Sequence, residues 1–115
     1  MLILVKLGGG LIAPKSWPAH TADRAAIRRL SKEIKTFKGR LIIGHGGGNF
    51  PHAEVGKGAL VTQQAASDLH TIVMREFLAL GLPVASVAPH DIWVARNGKM
   101  VSSFYEPVKL LLKQK

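Results

Sequence analysis

Two short apolar runs in this chain each end abruptly in glycine. Leu2-Ile-Leu-Val-Lys6-Leu7 stops at Gly8-Gly9-Gly10, and Arg40-Leu-Ile-Ile43 stops at Gly44-His45-Gly46-Gly47-Gly48. Seven of the twelve glycines lie in these two places. A β-branched apolar run followed by a backbone-tight loop reads as a buried parallel strand. A chain with two such runs separated by a helix is confined to few folds.

The stretch between them supplies the helix. After a loop broken by Pro14 and Pro18, Thr21 is the expected N-cap of a helix over about 22–38, with Asp23 in its first turn. Ile27, Leu30, Ile34 and Phe37 recur on one face, and Gly39 is the expected stop. Arg24, Arg28, Arg29, Lys32, Lys35 and Lys38 cover the rest, a pattern that reads first as a solvated basic face. A second helix is expected over about 62–80, with Leu69, Val73, Phe77 and Leu80 on one stripe, closed by Gly81 and Pro83. Val84–Ala88 reads as a third strand. Asn97-Gly98 between two short apolar runs is a strong hairpin signal, and 107–113 reads as a final helix with Pro107 in its first turn.

The predicted fold is therefore α/β: a mostly parallel sheet with flanking helices plus a β-hairpin. In such sheets ligands sit beyond the carboxyl ends of the strands. Both glycine clusters fall there, facing one crevice.

Composition narrows what the crevice takes. Sixteen Lys+Arg against seven Asp+Glu give a net charge of +9, which favours anions: nucleic acid, a membrane surface or phosphorylated small molecules. There is no cysteine, which excludes disulfides, thiolate metal sites and cysteine nucleophiles. No apolar run approaches the roughly 20 residues that span a bilayer. Met1–Val5 lacks the basic flank and cleavage site of a signal peptide, so the expected location is the cytoplasm. Aromatic residues are 6%, too few for the stacking platform of a nucleic-acid binder.

Consecutive glycines expose N–H groups that can form an anion nest, for which phosphate is the commonest guest. Neither cluster matches the P-loop or the dinucleotide-binding pattern. Lys6 precedes the first loop, and its side chain either reaches the sheet edge or neutralises a phosphoryl group. Lys15 beyond that loop is open to the same two readings. His45 reads as a structural histidine at a strand end. His52, after Asn49-Phe50-Pro51, is placed to donate to a phosphate oxygen. His20, His70 and His90 show no partner pattern, and no metal site is expected.

Lys6-Leu-Gly8-Gly9, Lys15 and Gly44-His-Gly46-Gly47-Gly48-Asn-Phe-Pro-His52 together resemble the amino acid kinase superfamily, and within it most resemble the isopentenyl phosphate kinases. The resemblance implies an ATP-dependent phosphotransferase of isoprenoid biosynthesis that adds a phosphoryl group to a small-molecule phosphate. By it, Lys6 and Lys15 would contact ATP phosphates and the phosphoryl group in transfer, and Gly8 and Gly9 would line the transfer site. Gly46, Gly47 and Gly48 would cradle the acceptor's phosphate, and His52 would hydrogen-bond it. Val73, Met74 and Phe77 would be either a wall for an apolar tail or ordinary core. ATP and Mg2+ are implied, with the metal's ligands outside residues 1–115.

Gly10 and Asn49 stand where the family has serine, and Pro51 where it has glycine. The family also continues into a nucleotide-binding half, so residues 1–115 are expected to be the N-terminal acceptor-binding half, inactive alone. The expected partners are a small-molecule phosphate and ATP, with a homodimer as the expected assembly and no membrane. The rivals are a uridylate or fosfomycin-type kinase, a basic nucleic-acid-binding module, and a non-catalytic fragment that folds with a partner.

Overall fold

The computed structural model describes residues 1–114. The first compact unit, 1–84, is built on a strand, a helix and a second strand. Strand β1 (Leu2–Leu7) pairs in parallel with β2 (Arg40–His45), with Leu2 opposite Arg40 and Leu7 opposite His45. Parallel strands need a long crossover. It contains a single helical turn, α1 (Gly9–Ile12), a loop, and α2 (Arg24–Lys35). The turn α3 (Asn49–His52) and the long helix α4 (Ala59–Ala79) follow β2.

The strands are half-buried rather than buried. Alternation sends Ile3, Val5 and Leu7 to one face and Leu2, Leu4 and Lys6 to the other. Val5 and Ile43 pack on the core, whereas Leu4 is 74% exposed. Lys6 therefore lies in solvent, on an open face opposite Gly44, and no desolvation cost attaches to it.

The core beneath the other face joins Leu7, Ile12, Ala13, Ile27, Phe50, Ala65, Leu69, Val73 and Phe77. These residues bracket both glycine loops: Leu7 precedes the first, Ile12 and Ala13 follow it, and Phe50 follows the second. Burial thus pins each loop where it meets the core. Val73 and Phe77 belong to this core and do not line an open slot.

Helix α2 is capped by Asp23 rather than Thr21. The Asp23 carboxylate accepts from the Ala26 N–H at 3.0 Å, while the Thr21 hydroxyl donates back to the Ala19 carbonyl (3.4 Å). The helix ends at Lys35, short of Gly39, because Thr36 turns its hydroxyl back onto the Glu33 carbonyl (2.7 Å). Its basic face is only partly a solvated one. Arg28 grips the Glu76 carboxylate of α4 at 2.8 and 3.4 Å, and Arg24 adds a contact at 3.5 Å. Lys35 Nζ donates to the Leu80 carbonyl just past α4 at 2.7 Å.

The expected strand 84–88 is absent: Val84 packs against the core, and 84–88 joins no ladder among the described residues. Its β-branched composition favours extended backbone, but a strand also needs a partner edge. The second unit, from Ala85 on, holds the antiparallel pair β3 (Trp93–Arg96) and β4 (Lys99–Ser103), followed by helix α5 (Glu106–Leu112). Asn97 (φ 52°) and Gly98 (φ 75°) both take the left-handed conformation that a two-residue hairpin turn demands. Among the described residues, no helix is long and apolar enough to cross a membrane.

Two measurements check this packing. In urea denaturation Leu69→Ala, fully buried in the core, costs about 2–5 kcal/mol, whereas Leu4→Ala on the open sheet face costs less than about 1 kcal/mol. Arg28, then Arg24, hold the Glu76 carboxyl below its ordinary value of 4.5. Its contribution is complete above that value and is lost as pH falls through the lowered native value. Glu76→Gln therefore lowers stability at pH 7 and flattens the acid limb of the stability–pH profile below pH 4.5.

Candidate anion site at the ends of the two strands

The parallel register leaves both strand ends level, and the loops beyond them meet backbone to backbone. The Gly46 N–H donates to the Leu7 carbonyl at 2.9 Å, extending the ladder by one bond. A Cβ on Gly9 would stand 2.5 Å from the Gly48 nitrogen and 3.2 Å from that of Gly47, and a Cβ on Gly46 would stand 2.6 Å from the Gly9 nitrogen. No side chain fits at either position. The nitrogens of Gly47 and Gly48 thereby lie against Gly9, and none of the three nitrogens donates to a backbone carbonyl among the described residues.

The other glycines divide by need. Gly48 has φ 55°, and a Cβ there would overlap the Ala13 carbonyl oxygen at 2.1 Å. A Cβ on Gly47 would strike the Pro51 ring at 2.3 Å. Gly8, Gly10 and Gly44 have open space beside them, so a serine in place of Gly10 would meet no obstruction. Pro51 is harmless to the backbone for a different reason. It sits in the first turns of α3, where its missing N–H would have had no intrahelical partner.

The loop over 13–21 is fastened to the second glycine cluster by Asn49, which is almost wholly buried. Its side chain donates to the Pro14 and Thr21 carbonyls (2.8 and 2.7 Å) and accepts from the Thr21 N–H (3.0 Å), and its own N–H donates to the Ala13 carbonyl (2.9 Å). A serine hydroxyl could not make all three side-chain bonds. His20 adds a second clasp, 2.6 Å from Glu54 and edge-on to the Phe50 ring. His20, then Lys57, lower the Glu54 carboxyl below its ordinary value. Lys15 is carried on this fastened loop.

Lys15 and His52 are exposed, and neither these two nor Lys6 pairs with a carboxylate among the described residues. His52 closes α3, directly after the fastened Asn49. The structure brings Gly9, Gly46, Gly47 and Gly48 into contact, and it links the segments that carry Lys15 and His52 through Asn49. Gly8, exposed before them, has open space where a side chain would stand. Among the described residues no three His, Asp or Glu gather as a cation site.

Sequence reasoning missed Asn49 as a hub, the Glu76 clasp and the pairing of His45 with His70. The Asn49 signal was in its position, a polar residue between Gly48 and the core Phe50. The other two join residues far apart in the chain and leave no local mark.

The family model for the amino acid kinase family matches residues 1–115. Among solved structures the chain is similar to one described as isopentenyl phosphate kinase, with TM-score 0.89 and 25% identity, covering 98% of this chain and 54% of that one. It is also similar to a substrate complex of an isopentenyl phosphate kinase (TM-score 0.80, 23% identity) and to a product complex of the T. acidophilum isopentenyl phosphate kinase (TM-score 0.79, 23% identity); each match covers 97% of this chain and 50% of the other. The chain thus spans about half the length of these relatives. No curated protein matches it at a significant level.

The close contacts give a direct check. Gly48→Ala, which must hold φ 55° and displace the Ala13 carbonyl, lowers stability by more than about 2 kcal/mol in chemical denaturation. Gly44→Ala, with open space beside it, stays within about 1 kcal/mol of the parent.

Proposed function

Because the chain belongs to the amino acid kinase family, we propose that its glycine loops form the acceptor-phosphate site of an ATP-dependent small-molecule kinase, with isopentenyl phosphate as acceptor. The observation that carries this reading is the close approach of Gly9 to Gly47 and Gly48, whose nitrogens donate to no backbone carbonyl among the described residues, which suits an anion with several acceptor oxygens. Residues 1–115 are then the acceptor-binding half of such a kinase domain.

In this reading the Gly47 and Gly48 amides hold the acceptor phosphate, Gly46, whose N–H is committed to the Leu7 carbonyl, only shapes the loop, and His52 donates to one of the phosphate oxygens. Another of those oxygens attacks the γ-phosphorus of ATP, the bond from that phosphorus to the β,γ-bridging oxygen breaks, and ADP leaves. Lys6 and Lys15 offset the charge on the transferred group, while Gly8 and Gly9 leave room for it. Transfer between phosphates needs mainly positioning and charge stabilisation, which lysines and backbone amides supply. Glu54 and Glu76 are already held by cations and Asp68 shares only the Glu54 cavity, so the described residues assemble no set of magnesium ligands. No step is assigned to a metal here.

An apolar tail would find a wall at the start of α4, where Leu60, Val61 and Ala65 line a cavity of about 380 Å³ whose other lining residues, His20, Glu54, Gln64 and Asp68, are polar.

Calorimetry with isopentenyl phosphate tests the assignment. The chain is expected to bind it, and His52→Ala weakens binding at least about tenfold, the value of one charge-assisted hydrogen bond. Preference for uridylate or fosfomycin would move the chain to another branch of the family. Tight oligonucleotide binding with a steep salt dependence, indifferent to His52→Ala, would overturn the reading.

A further inference from the structure

We propose that His45 and His70 form an imidazole relay that fixes the Gly46–Gly47 peptide and so aims the amides of the second glycine loop; its bearing on ligand binding rests on the phosphate site proposed above. His45 ends β2, and its Nδ1 lies 2.9 Å from the Gly46 carbonyl oxygen. A carbonyl oxygen only accepts, so Nδ1 carries the hydrogen. The neutral ring then has a bare Nε2, and this lies 2.8 Å from His70 Nδ1 on α4. His70 must therefore donate from Nδ1. The two ring planes lie 13° from parallel. Burial first, and the neighbouring His45 second, disfavour a charge on His70, so His70 enters the relay as a neutral ring.

The consequence falls on the loop. The Gly46–Gly47 peptide is trans, so the Gly46 C=O and the Gly47 N–H point in opposite directions. Holding the oxygen on the His45 side turns the Gly47 N–H to the other side. A Gly-Gly peptide has little intrinsic resistance to flipping, because neither residue carries a Cβ. A flipped peptide would present an oxygen to an anion instead of a hydrogen. Gly46 is held at both of its polar groups: the N–H by the Leu7 carbonyl, the C=O by His45. His70 makes the second hold directional by occupying Nε2, which leaves Nδ1 as the donor. His45 and His70 are positioning residues in this scheme, acting through the peptide.

The test uses the full ¹⁵N-labelled chain, its His70→Ala, His70→Asn and His70→Gln variants, and inorganic phosphate as probe. Asn places an amide nitrogen where His70 Nδ1 stood, and Gln places its nitrogen farther out. In the parent, ring ¹⁵N shifts are expected to show His45 protonated on Nδ1, and the Gly47 N–H residual dipolar coupling to report one orientation. His70→Ala and His70→Gln reduce that coupling by averaging and weaken phosphate binding at the Gly47 and Gly48 amides roughly fivefold, the value of one neutral hydrogen bond. His70→Asn restores both. Should His70→Ala fail to fold, the Asn–Gln contrast carries the same decision. Protonation of His45 on Nε2, or a parent-like Gly47 coupling in His70→Gln, overturns the relay. A parent chain that ignores phosphate overturns the proposed function, and the Gly47 coupling still decides the relay.

Discussion

The structure depends on a backbone-to-backbone approach that no side chain can share. Gly9 meets Gly47 and Gly48 at distances a single methyl would abolish, and this contact sets how the ends of β1 and β2 face each other. What surrounds it serves to hold it. Leu7, Ile12, Ala13 and Phe50 anchor the loops in the core, the Leu7 carbonyl extends the ladder to Gly46, and Asn49 draws the intervening loop onto the second cluster. Glycine is demanded here by space and, at Gly48, by backbone conformation. The free N–H groups that result are a consequence of the same packing.

The charge of the chain is used in two ways. Arg24, Arg28 and Lys35 hold α4 against α2, through the buried Glu76 carboxylate and the Leu80 carbonyl. Lys6 and Lys15 have no such internal duty and remain exposed near the strand ends and on the fastened loop. A net charge that favours any anion is thus divided between a structural clasp and two lysines available to a ligand.

Much of the fold was legible in the sequence because its signals are local. Period and capping chemistry place α2 and α4, Asn97-Gly98 places the hairpin, and the glycines mark the two strand ends. Where the reading failed, a nonlocal partner decided. Val84–Ala88 has strand composition but joins no ladder, and Thr21 is tied by its N–H to Asn49, two residues before the Asp23 that caps α2. The burial expected for β1 assumed a covered second face, yet Leu4 and Lys6 stand open. In the site, glycine spacing identified Gly9 and Gly46–Gly48, whereas the joining of His45 to His70 across 25 residues depends on how α4 lies against β2.

The most direct test of the account is phosphate titration of Gly9→Ala, followed by amide shifts. The added methyl is 2.5 Å from the Gly48 nitrogen, on the opposite loop, and the three atoms nearest to it all belong to the Gly47–Gly48 backbone rather than to a core side chain. The account predicts a folded chain in which phosphate no longer shifts the Gly47 and Gly48 amides. Parent-like shifts at those amides in Gly9→Ala would contradict it.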